Sequence, residues 1–220
     1  CESLCRYDAI NYIEGIYTIS SLHCEGCGVC AHFCPEKAIT LTEKKAGSWY
    51  ISKTIYGPLV HAELGIAEDN SGKLVTQVRE QAKKVAHDLK MDTIIIDGPT
   101  GVGCPVIASI TGTDMALIVT EPTVSGLHDL KRITELVNHF NIETMVCINK
   151  SDLNKYMSHR IEEFCHEHNI EIAAQIPYDL QFIKAQLEGK SIVDSPSKKS
   201  SPIIKNMWNK INEKLLREKE

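Results

Sequence analysis

Four cysteines in the stretch CEGCGVCAHFCPEKAI have the types and spacing to hold a metal cluster: Cys24-x2-Cys27-x2-Cys30-x3-Cys34, followed by Pro35. Three thiolates at x2-x2 spacing cap one face of a 4Fe–4S cube. The two-residue gaps let the backbone curl around the cluster, and Gly26 and Gly28 keep side chains out of the way. Zinc is the plainer reading of a C-x2-C pair. Zinc sites, however, seldom set three cysteines at x2-x2 ahead of x3-Cys-Pro. His23 and His32 fall in the same stretch and read as solvated or hydrogen-bonded loop residues, not ligands.

The first ten residues repeat this pattern. A shift of 29 residues carries Cys1 onto Cys30, Cys5 onto Cys34 and Ala9-Ile10 onto Ala38-Ile39. CRYDAI is therefore the sister of CPEKAI, with Arg6 where the second run has Pro35. The same shift puts partners of Cys24 and Cys27 upstream of Cys1. The arrangement resembles a two-cluster ferredoxin whose first run has lost its first half. In such proteins the fourth cysteine of each run ligates the other cluster. The resemblance thus implies one complete ligand set, Cys5 with Cys24, Cys27 and Cys30, and a second with Cys1 and Cys34 present. YIEGIYTI and AITLTE have the alternation and β-branched content of short flanking strands.

Composition excludes several function classes. The 220 residues carry a net charge of −5, which gives no general attraction to nucleic acid or an anionic membrane. No apolar run approaches a membrane span and no basic-then-apolar leader precedes the first cysteines. The expectation is a soluble cytoplasmic protein. Six of the nine cysteines lie within the first 34 residues, too uneven for a disulfide framework.

The elements that must position further chemistry lie beyond residue 45. WYISKTIYG and LVHAELGI read as strands, and KLVTQVREQAKKVAHDLK has a helical apolar stripe. DTIIIDG, DMALIVTEP, ETMVCINKSD and IEIAAQIPYD are apolar strands alternating with helices near 125–140, 155–168 and 179–188. This alternation predicts an α/β fold with a mostly parallel sheet covered on both faces. Ligands bind beyond the carboxyl ends of such strands, where Asp97, Glu121, Asn149 and Pro177 fall. The apolar run ending in Asp97 looks like a Walker B strand, whose carboxylate orders Mg²⁺. Asp97-x-Pro99-x-Gly101 then forms a switch-like loop in which the Gly101 N–H could reach a γ-phosphate. Taken alone, this loop could equally be a surface strand-to-helix turn. Asn149-Lys150-x-Asp152 matches the base-reading motif of P-loop GTPases: amide and carboxylate bond the purine edge while the lysine stem covers the ring.

Together these stretches are similar to the MinD-type P-loop ATPases that carry an inserted ferredoxin domain, relatives of the nitrogenase iron protein. The resemblance rests on residues 24–35, HAELGIAEDNSGKLVTQVRE, DGPTGVGCPVIAS, TEPTVSGLHDLKR, INKSD and IPYD, in that order. It implies a ferredoxin-like part at 1–45 and an NTPase-like part at 46–220. It further implies nucleotide binding at a homodimer interface, with hydrolysis coupled to a conformational change near an iron–sulfur centre.

A family member also needs an N-terminal strand and a phosphate-binding loop, and neither is found here. In NSGKLV, Gly72-Lys73 is followed by Leu74, not Ser or Thr, and Gly65 is too distant to complete the motif. Lys73 fits a helix start capped by Asn70 or Ser71. The phosphate loop is expected upstream of Cys1, with the missing cysteines.

Cys104 shares its offset from Asp97 with a cluster cysteine of the nitrogenase iron protein. No second cysteine occurs between Cys34 and Asp97 to complete such a cluster, so a structural or exposed thiol is expected. Cys147 and Cys165 read as packing residues. Past the linker SPSKKSSP, a helix places Ile203, Ile204, Met207, Trp208, Ile211, Leu215 and Leu216 on one face, expected to pack on the sheet instead of touching membrane.

Three functions fit: nucleotide-driven electron transfer through the clusters, a positioning or redox-sensing switch of the MinD/ParA kind, and an iron–sulfur carrier. The last lacks the C-terminal C-x-x-C that such carriers often use. The N-K-x-D motif leans toward guanine and the resemblance toward adenine, and no redox partner is written in these residues.

Overall fold

The computed structural model describes residues 1–21, 23–24, 26–42, 45, 47–65, 72–194 and 197–217. Its contacts divide the chain into two units, Cys1–Asn70 and Ser71–Glu220.

In the first unit, a 3-10 turn at Glu2–Leu4 leads to an antiparallel hairpin of β1 (Ile10–Ile13) and β2 (Ile16–Ile19). Glu14 and Gly15 both adopt positive φ, as a two-residue turn matched to strand twist requires. Tyr12 and Tyr17 pair across it with ring centroids 4.7 Å apart. YIEGIYTI is therefore two strands and a turn. A four-residue helix α1 (Val29–His32) carries Cys30. The expected strand at AITLTE is not formed over its described residues, 38–42, because nothing there supplies a ladder partner. A second antiparallel hairpin, β3 (Gly47–Thr54) and β4 (Gly57–Leu64), completes the unit.

The second unit opens with α2 (Gly72–Asp88) packed against α3 (Cys104–Ile110). The half-buried Arg79 donates to the carbonyl of Ala108, serving one of the carbonyls a helix end leaves unpaired. Then follow β5 (Met115–Thr120), α4 (Val124–His139), β6 (Glu143–Asn149), α5 (Lys155–Glu167), β7 (Glu171–Ile176), α6 (Gln181–Leu187) and α7 (Ser200–Arg217). The strands form a parallel sheet in the order β5-β6-β7. The α/β fold with a parallel sheet is thus as its apolar strands predict.

Alternate residues of β6 serve the two faces. Val146 and Ile148 meet Leu127 and Leu130 of α4 and Met157, Ile161, Phe164 and Cys165 of α5. On the other face, Met145 and Cys147 join Ala173, Ala174 and Ile176 beneath Ile203, Ile204, Met207, Ile211 and Leu215 of α7. The terminal helix therefore packs on the sheet. Lys214 fastens its far end to Glu143 and Glu171. Trp208 and Leu216, counted on the same stripe, are exposed. No helix among the described residues is long and apolar enough to cross a membrane.

A second expected strand is missing. Residues 93–99, the candidate Walker B segment, run as irregular chain, and Ile95 is 79% exposed. A strand exists only where a neighbour completes its hydrogen bonds. None of the described residues does so here.

Candidate functional site

The two cysteine runs share more than sequence. Cys5 Sγ accepts the Ala9 N–H at 3.3 Å, and Cys34 Sγ accepts the Ala38 N–H at the same distance. The residue before each donor is left-handed, Asp8 at φ 49° and Lys37 at φ 50°. The 29-residue repeat is therefore present in the backbone. Left-handed residues outside glycine are uncommon, so the coincidence is informative. Gly26 and Gly28 are also left-handed, and Gly28 precedes α1. Cys24 and Cys27 are exposed, while Cys1, Cys5, Cys30 and Cys34 are half-buried.

Soft thiolates with backbone N–H groups on their sulfurs suit an iron–sulfur cluster. The backbone turns and donors are in place, but the thiols are not gathered. Among the described residues, no three His, Cys, Asp or Glu side chains converge closely enough to hold a metal ion. The Ala9 and Ala38 donors escaped sequence reasoning, although their alignment in the repeat was the available signal.

The remaining cysteines are of two kinds. Burial pushes the Cys147 and Cys165 thiols up to about 11, so these are inert packing residues. Cys104 is an exposed thiol at the first residue of α3.

The second unit gathers polar groups at the carboxyl ends of β5, β6 and β7. Asn149 ends β6, and its Oδ1 accepts the Lys150 N–H at 3.0 Å, which leaves its amide donors facing outward from that bond. Lys150 is left-handed at φ 54°, and its ammonium pairs with Glu121 beyond β5 at 2.7 Å. Asp152 Oδ1 accepts the Tyr178 N–H at 2.6 Å, which joins the loop after β6 to the loop after β7 at Pro177–Asp179. The Ser151 N–H reaches the Ile176 carbonyl at 2.9 Å, a second link between the same loops. Asp152 is held below the usual carboxylate range first by the Tyr178 N–H, with help from Lys199. Asn149, Lys150, Asp152 and Pro177 thus stand together.

Asp97 and Gly101 belong to the irregular loop before α3. Asp97 is exposed, and Gly101 is left-handed at φ +90° with open space where a Cβ would lie. Among the described residues, no hydrogen bond or ion pair joins either of them to the loops after β6 and β7. Sequence reasoning missed Lys199, Asp179, Ser197 and Ser200, which tie those loops to α7. Asp179 closes the IPYD stretch, but the polar residues of the linker gave no periodic signal that they would bond to it.

A ParA-family model described as a NUBPL iron-transfer P-loop NTPase matches residues 70–215, and a 4Fe–4S binding domain model matches residues 17–40. An uncharacterized protein of Methanocaldococcus jannaschii is 35% identical over 214 residues, 97% of this chain and 70% of that protein. Among solved structures, the MinD cell division protein of Aquifex aeolicus is similar at a TM-score of 0.54 and 22% identity, covering 73% of this chain and 67% of that one. The septum site-determining protein MinD of Pyrococcus horikoshii, complexed with Mg-ADP, is similar at a TM-score of 0.52 and 19% identity, covering 66% and 58%. At these identities the structures speak for the fold. With the family model taking in most of the second unit, the chain belongs to the ParA family of iron-transfer P-loop NTPases and carries a 4Fe–4S binding domain near its start.

Proposed function

We propose that this chain is the iron–sulfur and base-binding portion of a cytoplasmic ATPase that couples nucleotide binding and hydrolysis to electron transfer through 4Fe–4S clusters. The observation that carries the cluster reading is the repeated N–H···S bond at Cys5 and Cys34, each set by the same left-handed turn. Cys5, Cys24, Cys27 and Cys30 hold one cluster, and Cys1 and Cys34 contribute to a second. When bound, the clusters supply one-electron transfer. Residues 1–45 form the ferredoxin-like part and 46–220 the NTPase-like part.

In the NTPase-like part, Asp97 positions Mg²⁺ and Gly101 meets the γ-phosphate. Asn149, Lys150, Asp152 and Pro177 form the group at the base. The joined loops after β6 and β7 support that assignment. The exposed Ile94 and Ile95 are apolar surface that a neighbouring strand would cover. Adenine is favoured because a structural relative carries Mg-ADP. A nucleotide-dependent homodimer fits the same frame.

The test is the cluster reduction potential of the full-length protein with and without Mg-ATP. The proposal expects a nucleotide-dependent shift, and identical potentials would contradict it. One observation favours a second reading, an iron–sulfur carrier: the matching family model is described as iron-transfer. ATP-accelerated delivery of a cluster to an apo-ferredoxin, without any change of potential, would select it.

A further inference from the structure

Asp152, assigned above to the base, has both carboxylate oxygens engaged within the chain. Oδ1 accepts the Tyr178 N–H, and Oδ2 faces the Lys199 ammonium at 3.5 Å. Lys199 also donates to the Tyr178 carbonyl at 3.2 Å, so one side chain touches the loop after β6 and the loop after β7. Lys199 immediately precedes α7.

A second arm lies beside this one. Asp179 Oδ2 accepts the hydroxyls of Ser197 at 2.8 Å and Ser200 at 2.7 Å, and its Oδ1 accepts the Gln181 N–H where α6 starts. Ser197 Oγ in turn accepts the Ser200 N–H, capping the first turn of α7. Ser200 is fully buried and Ser197 nearly so. Asp179 itself is half-buried, so water competes for these bonds only at the carboxylate, and losing one costs more than losing a fully exposed bond. The Asp152–Lys199 pair is exposed and contributes little alone. The half-buried Asp179–serine arm holds the geometry, and Lys199 adds the link to Asp152.

We infer that Asp179, Lys199 and Ser200 are positioning residues that fasten the base-binding loops, Asp152 included, to the first turn of α7, so that filling the nucleotide site tightens α7 on the sheet. The inference rests on the nucleotide reading above. Asp152 is held there by Tyr178 and Lys199, and its oxygens keep acceptor sites for the base. Asn149 is left to donate to the base. A base that selects one arrangement of residues 149–152 and 177–179 favours the clasped state, because those loops are bonded to the turn at 197–200 through Asp179 and Lys199. By linkage, releasing the clasp weakens nucleotide binding by the factor that binding tightens the clasp. The other end of α7 is held separately by Lys214, so loosening is confined to the first turns.

The experiment uses the full-length protein, Mg-ATP and Mg-tripolyphosphate, with hydrogen exchange and equilibrium binding as readouts. In the wild type, Mg-ATP should slow exchange at 177–180 and at 200–204. The K199M/S200A double variant should lose the protection at 200–204. Its ATP affinity should fall about tenfold, an ordinary size for coupling between two sites, while tripolyphosphate affinity stays unchanged. A merely structural defect would lower both affinities together, and that outcome overturns the inference. So does protection at 177–180 with none at 200–204, or an unchanged ATP affinity in the double variant. Absence of any ATP protection in the wild type overturns the nucleotide reading itself, and the inference with it.

Discussion

Replacing Gly126 by alanine is the sharpest test of the packing around the candidate base loops. Gly126 lies in the first turn of α4, where its N–H donates to the capping Thr123 hydroxyl at 2.9 Å. Its carbonyl accepts the hydroxyl of the buried Thr120 at 3.0 Å. A Cβ at this position would collide with the Glu121 carbonyl oxygen and lie 3.0 Å from Thr120 Oγ1 and 3.1 Å from Thr123 Oγ1. Two of these neighbours are the hydrogen-bond partners themselves, and the third is backbone, so none can yield cheaply. Alanine gains about 1 kcal/mol of helix propensity over glycine. Against that stand about 1–3 kcal/mol of overpacking, about 1 kcal/mol for a weakened cap and about 1–3 kcal/mol if the Thr120 hydroxyl is left unpaired. The net expectation is a loss of about 2–6 kcal/mol, read from urea midpoints at constant m-value. The lost stability should come with displacement of Glu121 from Lys150. A Gly126→Ala protein as stable as the wild type would refute the reasoning, because helix propensity would then have outweighed the collision.

Further predictions concern the thiols, the acids and the terminal helix. At pH 8, native alkylation read by mass spectrometry should label Cys104 and spare Cys147 and Cys165, whose thiols stay protonated below about 11. Labelling of all three at equal rates would contradict the buried assignment. Asp152 and Asp179 both sit below the ordinary carboxylate range, held first by the N–H groups of Tyr178 and Gln181 respectively. A depressed folded pKa contributes stability above the unfolded value of about 3.9, lost as pH falls through the folded one. Asp179→Asn should therefore flatten the acid limb of the stability curve below about pH 4, and an unchanged limb would count against the serine clasp. Lys214→Met should cost about 0.5–1 kcal/mol, as for a partly exposed ion pair, and a neutral result would show that the apolar face of α7 suffices.

Much of the fold was legible because burial writes itself into periodicity. The helical stripe ahead of Leu89 and the apolar runs at 115–120, 143–149 and 171–176 became α2, β5, β6 and β7 at almost their expected bounds. Pairing is not written in a single segment. TIIID has the composition of a buried strand, yet Ile95 lies exposed because no described neighbour completes its ladder. AITLT failed for the same reason, and YIEGIYTI hid a turn at Glu14-Gly15. In the site, the N-K-x-D motif located the loop after β6, but the bond from Tyr178 to Asp152 is a contact between residues distant in sequence, which no local pattern records. Nothing in SPSKKSSP signalled that Ser197 caps α7 or that Ser197 and Ser200 grip Asp179.

The central claim is that the first unit binds iron–sulfur clusters through the repeated cysteine runs. Anaerobic reconstitution followed by iron and sulfide counts and EPR of the reduced protein tests it most directly. The account predicts at least about four irons per chain with a cubane signal, lost in Cys24→Ala and in Cys5→Ala alike, because both belong to one ligand set. Fewer than about four irons, or a Cys5→Ala protein that keeps its cluster unchanged, would contradict it.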